Sequence, residues 1–370
     1  MKDFAERVKK IRQKIAGLKL DALLVSKIEN IRYLTGFSGS TAFVVIDGSA
    51  QTIFVDFRYI EQVKKETKGY AIVQTGRSQV KDICEFMKTN KYKKVGFEAD
   101  STSVTKLAAF ETNLPAKLEM KPTSGLIEEL RIIKSKAEIK EIQNAVDLVD
   151  ATFLEIVRTG KKSIIGKSES AVAAQLEYLM KLGGAQSPSF ESIVAFGTNS
   201  SCPHYKPVPS CIVKAKGPKV GQGTFLKMDF GAKLNGYCSD MTRTIFIGKP
   251  SQKLIDIYKI VLEAQLAAIA GIRPGMKAME VDKIARDVIA KYGHADKFGH
   301  GLGHGVGLEI HEAPSVSTEG QSIIAEGMVF TVEPGIYIPG TGGVRIEDII
   351  LVTKTGCRIL TKSSKEVIIL

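Results

Sequence analysis

Two domains of mixed helix and strand are expected: an α/β unit with a mixed sheet over residues 1–125, and an α+β unit with two related halves over 126–370. Three observations carry that expectation. Helix and strand signals alternate through the first 120 residues. A weak repeat links Arg158-Thr159-Gly160 with Arg273-Pro274-Gly275, each leading into a helix that ends at a glycine, Gly183 or Gly293. Glycine-rich hairpins then follow in each half.

In chain order, Ala5–Leu18 reads as a basic amphipathic helix because Val8, Ile11, Ile15 and Leu18 recur at helical spacing. Short apolar, β-branched runs predict strands at Ala22–Val25, Ala42–Ile46, Thr52–Val55, Ala71–Val73 and Lys94–Phe97. Helical stretches Tyr59–Glu66 and Val80–Thr89 separate some of them. Pro115 and Pro122 mark Leu114–Gly125 as the start of a linker. Ile127–Thr159 reads as one long exposed helix with Lys/Glu pairs at supporting spacing.

Composition narrows the function classes. The chain carries 52 basic and 40 acidic residues, a net +12. The excess is dispersed, with +6 in residues 1–130 and +6 in the rest, which describes a Lys-rich solvated surface and no nucleic-acid partner. No apolar run reaches the roughly 18–20 residues of a membrane span, and the N-terminus lacks a signal peptide's apolar segment. Cys84, Cys202, Cys211, Cys238 and Cys357 form no CxxC and are odd in number. A reducing, cytoplasmic setting therefore fits better than a disulfide framework.

The chemistry concentrates in two hairpins and a histidine cluster. Phe225–Gly231 and Tyr237–Ile247 flank a turn; centring it between Leu234 and Asn235 sets Asp229 opposite Asp240. Met328–Ile338 and Gly342–Val352 flank a second turn, with Glu333 and Glu347 symmetric about Gly340. Three of the five histidines, His300, His304 and His311, lie in the glycine-rich run between the hairpins. That run matches neither GxGxxG nor a phosphate loop, and Gly301 stands where HExxH needs its Glu. Four carboxylates with one or more imidazoles describe a dinuclear site for divalent metals such as manganese or cobalt. Two metals would acidify a bridging water and clamp an attacked carbonyl.

In order along the chain, Ile31–Ser40, Asn199-Ser200-Ser201-Cys202-Pro203-His204-Tyr205, the two aspartate strands, His300–His311, Glu333-Pro334-Gly335 and Arg345-Ile346-Glu347-Asp348 form a specific set. Over nearly its whole length the chain resembles the pita-bread metallopeptidases, in their Xaa-Pro aminopeptidase and Xaa-Pro dipeptidase (prolidase) branch. The resemblance implies a creatinase/prolidase-type N-terminal domain and a pita-bread catalytic domain with pseudo-twofold halves. It implies Asp229, Asp240, His304, Glu333 and Glu347 as ligands of two divalent ions, manganese first, with cobalt or zinc as alternatives. Asp240 and Glu347 would bridge both ions, and Glu333 would also handle the water's proton. His204 and His311 would hydrogen-bond the substrate carbonyl, the tetrahedral intermediate or the departing nitrogen. His300 would line the pocket beyond the scissile bond, Arg345 would fix the ligand carboxylates, and Tyr337 would add a hydrogen bond nearby. The expected partners are proline-containing peptides and a second copy of the chain in a homodimer.

One departure bears on substrate. In prolidases resembling this chain, an arginine four residues after the last histidine of the cluster holds the dipeptide carboxylate; here Ser315 stands there. That favours an aminopeptidase acting on longer Xaa-Pro peptides over a strict dipeptidase, unless another basic residue substitutes. A methionine aminopeptidase would not carry this N-terminal domain. Creatinase lacks these ligands, and a non-catalytic binding relative usually loses several of them. Asp348 falls on the opposite strand face from Glu347 and is expected in a salt bridge, and His294 is expected at the surface.

Overall fold

The computed structural model describes residues 4–209 and 223–370, and Cys211 lies outside the described residues. The chain divides into two compact units, 1–131 and 132–370.

In the first unit, helix α1 (Phe4–Gly17) buries Val8, Ile11 and Ile15 on one face, as its spacing dictates. Next come β1 (Ala22–Val25), α2 (Ile28–Thr35), β2 (Phe43–Asp47), β3 (Gln51–Val55), α3 (Ile60–Glu66) and β4 (Ala71–Gln74). The unit closes with α4 (Gln79–Thr89), β5 (Lys94–Glu98), α5 (Val104–Asn113), β6 (Glu119–Thr123) and α6 (Glu128–Arg131). The sheet runs β4-β3-β2-β1-β5-β6. It is mixed, as expected: β1, β2 and β3 pair antiparallel, and β4, β5 and β6 join in parallel. The proline-marked segment is not a linker start. It adds β6 at the sheet edge, with Pro122 opposite Phe97, where a missing N–H costs least.

The second unit begins with α7 (Lys136–Ser163) and α8 (Glu169–Leu182). The single helix expected over Ile127–Thr159 is instead two helices. Ile133 bridges to Met328 in extended form, and Ser135 restarts the helix with a capping box, its hydroxyl taking the Glu138 N–H. Nor is α7 wholly exposed, since Ile142, Ala145, Val149, Phe153 and Ile156 enter the core. Strands β7 (Ser187–Pro188), β8 (Ile193–Phe196), β9 (Thr224–Phe230), β10 (Ala232–Leu234), β11 (Tyr237–Cys238) and β12 (Met241–Ile247) complete the first half. The apolar faces of α7 and α8 pack on β8, β9 and β12 through Phe153, Leu176, Met228 and Ile245.

The second half repeats that order. Helices α9 (Gln252–Gly271) and α10 (Ala278–Lys291) precede β13 (Gly303–Gly305), β14 (Glu312–Val316), β15 (Val329–Val332), β16 (Gly335–Ile338), β17 (Gly342–Arg345), β18 (Asp348–Val352) and β19 (Cys357–Ile359). The sheet β14-β13-β15-β18-β19 shares its core with both helices through Val261, Ala285, Phe330 and Ile350.

The two hairpins place the carboxylates, one of them differently from expectation. Pairing of Leu234 with Tyr237 puts Asn235 and Gly236 at the turn, with φ of 49° and 81°. This two-residue turn with positive φ twice is the one that matches strand twist. The register is therefore shifted by two residues: Asp229 pairs with Thr242, not Asp240. Asp240 occupies the break between β11 and β12. The second hairpin keeps the expected symmetry about Gly340, since Gly335 pairs with Arg345 and Val332 with Asp348. Glu333 and Glu347 thus leave adjacent strand pairs at matching positions.

Candidate metal centre

A cleft of about 610 Å³ is lined by Asp229, Asp240, His304, Glu333 and Glu347, together with His204, His300, His311, Arg345 and Ser315. Every residue expected at the site lies there, and Tyr337 touches it through Arg345 and His300. One ligand atom each from Asp240, His304 and Glu347 lies within 4.8 Å of the others.

The electrostatics favour a positive charge at the centre of the cluster. Asp240 and Glu347 have pKa values raised well above the ordinary carboxyl range, first by burial and then by the surrounding carboxylates. Burial likewise pushes Glu333 up to about 7, with Asp229 adding to the rise and Arg345 opposing it. Asp229 Oδ1 and Glu347 Oε1 are buried without a hydrogen-bond partner among the described residues, a cost of roughly 1–3 kcal/mol or more each if left so. His304 Nδ1 lies 3.1 Å from the Gly305 carbonyl, which can only accept, so Nδ1 carries the proton. The bare Nε2 then faces Asp240 Oδ2 at 3.5 Å and Glu333 Oε1 at 3.4 Å. A lone pair aimed at carboxylate oxygens repels them unless a positive ion lies between. The residues fit a divalent metal site of mixed oxygen and nitrogen donors.

Supporting groups hold this cluster. Arg345 contacts Asp229 Oδ2 and lies 3.8 Å from Glu333 Oε2. Thr242 donates to Glu347 Oε2 at 2.7 Å and accepts from Arg345 Nε at 2.9 Å. Thr331 donates to Glu333 Oε1 at 3.0 Å. Both threonines escaped the sequence reading, yet each stands two residues from a ligand, Asp240 or Glu333, and strand periodicity could have found them. Asp348 forms the expected buried salt bridges, with Arg243 at 2.7 Å and Lys365 at 2.6 Å.

The histidines differ in environment. His204 and His311 are exposed in the cleft, and the His311 ring packs edge-on to His304 with centroids 4.4 Å apart. Burial, followed by the Arg345 charge, holds His300 down to about 4, so it is neutral. Its Nδ1 donates to Gly301 O at 2.7 Å and its Nε2 accepts the Tyr337 hydroxyl at 2.8 Å. His294 is half-buried outside the cleft.

Comparison with known proteins agrees with this geometry. The pattern of metallopeptidase family M24 matches residues 140–354, and the creatinase/prolidase N-terminal domain matches 7–133. The chain belongs to metallopeptidase family M24. An Xaa-Pro dipeptidase of Pyrococcus horikoshii is 40% identical over 98% of this M24 chain and 99% of its own length. The structure of an Xaa-Pro dipeptidase from Bacillus anthracis superposes with a TM-score of 0.93 at 41% identity, covering all of both chains. The X-Pro aminopeptidase from Thermotoga maritima superposes at 0.87 with 32% identity, covering 96% of this chain and all of that one. The fold is thus the M24 pita-bread domain preceded by a creatinase/prolidase N-terminal domain.

Proposed function

We propose that this chain is a metal-dependent exopeptidase that hydrolyses the Xaa-Pro bond at peptide N-termini, an Xaa-Pro aminopeptidase. The convergence of Asp240, His304 and Glu347 within 4.8 Å, beside two orphaned carboxylate oxygens, is the observation that carries the reading. Asp229, Asp240, His304, Glu333 and Glu347 would hold two divalent ions, manganese, cobalt or zinc. When bound, such ions acidify a water and polarise the scissile carbonyl.

The chain's own residues supply the rest. Glu333 takes the proton released by the attacking water and returns it towards the departing proline nitrogen. His204 and His311 reach the cleft from loops and donate to oxygen as charge develops there. His300, neutral and held by Tyr337, walls the space beyond the scissile bond. Arg345, in contact with Asp229 and 3.8 Å from Glu333, aligns the two carboxyl groups.

Ser315 favours longer peptides. It lies in the cleft opposite His304 in register and offers a neutral hydroxyl, which places no demand for a free carboxylate one residue past the bond. The dipeptidase reading has support in the names of two of the relatives and in Lys206. This lysine also lines the cleft and pairs only loosely with Glu191, at 3.9 Å. Specificity constants for Xaa-Pro-Yaa tripeptides and Xaa-Pro dipeptides at saturating metal decide between the readings. Tripeptides are expected to be cleaved at least as well, and turnover of dipeptides alone would overturn the aminopeptidase reading.

A further inference from the structure

His204 sits in a loop with no regular structure of its own, between the short 3-10 turn Gly197–Ser201 and Val208. An exposed loop histidine needs something to hold its backbone. Two fully buried polar residues converge on that loop from opposite sides. Lys227, on β9 and 0% exposed, directs Nζ to three of the loop's carbonyl oxygens. The distances are 3.2 Å to Ser200, 2.7 Å to Cys202 and 3.3 Å to Pro203, the residue before His204. Glu169, at the start of α8 and 1% exposed, takes donors from the end of β8, the turn and the loop. Its Oε1 accepts from Phe196 N at 2.7 Å and Asn199 Nδ2 at 3.0 Å. Its Oε2 accepts from the Tyr205 hydroxyl at 2.8 Å and Val208 N at 3.3 Å.

We infer that Lys227 and Glu169 are positioning residues for His204, a buried amino group and a buried carboxyl group clamping the carbonyl and donor sides of one segment. Neither residue is needed to fill the metal site. Lys227 shares a strand face with Asp229, two residues on, but its amino group is spent on the loop and not on the ligand. A polar group buried at this depth is costly unless it is hydrogen-bonded, and here Lys227 Nζ meets three carbonyls. The clamp explains why Pro203, His204 and Tyr205 stay together at the cleft wall. Pro203 O is shared between Lys227 and Arg345 Nη1, the latter at 3.4 Å, and Tyr205 is tied to Glu169. His204 between them is free to present its ring.

The inference rests on the proposed function only for what His204 does; that the loop is held does not depend on it. Lys227→Met keeps the volume and removes the donors. Hydrogen exchange of amides 197–208 is expected to quicken in Lys227→Met while the rest of β9 is unchanged. Metal content should equal wild type, and kcat on an Xaa-Pro tripeptide should fall at least tenfold with KM within about threefold. In a His204→Ala background, Lys227→Met should cost less than twofold more, because the residue it positions is already gone. Equal losses in both backgrounds, reduced metal content, or unchanged exchange would overturn the inference. Glu169→Gln carries the same test should Lys227→Met fail to fold. A wild type inactive on Xaa-Pro peptides would sink the functional reading alone, leaving the clamp to stand or fall on the exchange data.

Discussion

At the scale of single residues, the proposed roles separate groups that would bind metal from groups that would meet substrate. His304 aims a bare nitrogen at two carboxylates, whereas His204 and His311 face open cleft. His304→Ala and Glu347→Ala should therefore lower metal content, measured by elemental analysis. His204→Ala and His311→Ala should keep metal and lose roughly 10²–10³-fold in kcat, the usual cost of a donor to developing charge. Equal metal loss in all four would contradict the assignment. Ser315 gives a prediction of opposite sign. Ser315→Arg supplies a cation where a dipeptide's carboxylate would lie, and a charge-assisted hydrogen bond there contributes about 1.5–3 kcal/mol. The dipeptide-to-tripeptide ratio of kcat/KM should rise roughly ten- to hundredfold; an unchanged ratio would show that the side chain does not reach that subsite.

At the scale of elements, turns and caps set where strands and helices begin. The β2–β3 turn is built on Asp47, whose Oδ1 accepts from Ser49 N at 2.7 Å and Ala50 N at 2.6 Å, while Oδ2 takes the Tyr92 hydroxyl. Burial pushes the Asp47 pKa up, but the hydrogen bonds of Tyr92, Ala50 and Ser49 outweigh it and hold it below 3.8. A carboxyl whose pKa is depressed by folding stabilises the fold above its unfolded value, and that contribution is lost as pH falls through the folded one. Asp47→Asn should cost about 1 kcal/mol at pH 7. In urea titrations the difference from wild type should shrink as pH falls below 3.8. A gap that is constant with pH would remove the ionised carboxylate from the account.

At the scale of the whole molecule, the candidate metal site gathers buried carboxyl groups that a bound cation would stabilise. Buried carboxylates from β9, the break before β12, and the ends of β15 and β17 repel one another across the two halves of residues 132–370. A cation that binds only the folded form stabilises it by about 2.7 kcal/mol at one hundred times its Kd. For a unit of this size that shifts Tm by about 5–11 °C. Calorimetry with and without manganese should show one metal-responsive transition, lowered by chelator. No shift with manganese, cobalt or zinc would mean that the carboxylates are satisfied some other way.

The sequence by itself determined most of the elements, because they follow from local rules, and its resemblance to a family pointed to candidate ligands that the fold brings into one cleft. Strand periodicity put Asp348 on the face away from Glu347, where it meets Arg243, and symmetry about Gly340 set the second hairpin's register correctly. Where a local rule was misapplied, the error stayed local. Centring the first turn one residue early moved Asp229 from its true partner, Thr242, to Asp240. Only the tertiary structure decided what orients the ligands and holds the histidine loop. Thr242 and Glu347 are 105 residues apart in sequence, and Glu169 reaches Tyr205 across 36. Such contacts leave no periodic mark on the chain. They arise when helix-backed sheets pack and bring polar side chains distant in sequence within hydrogen-bond reach.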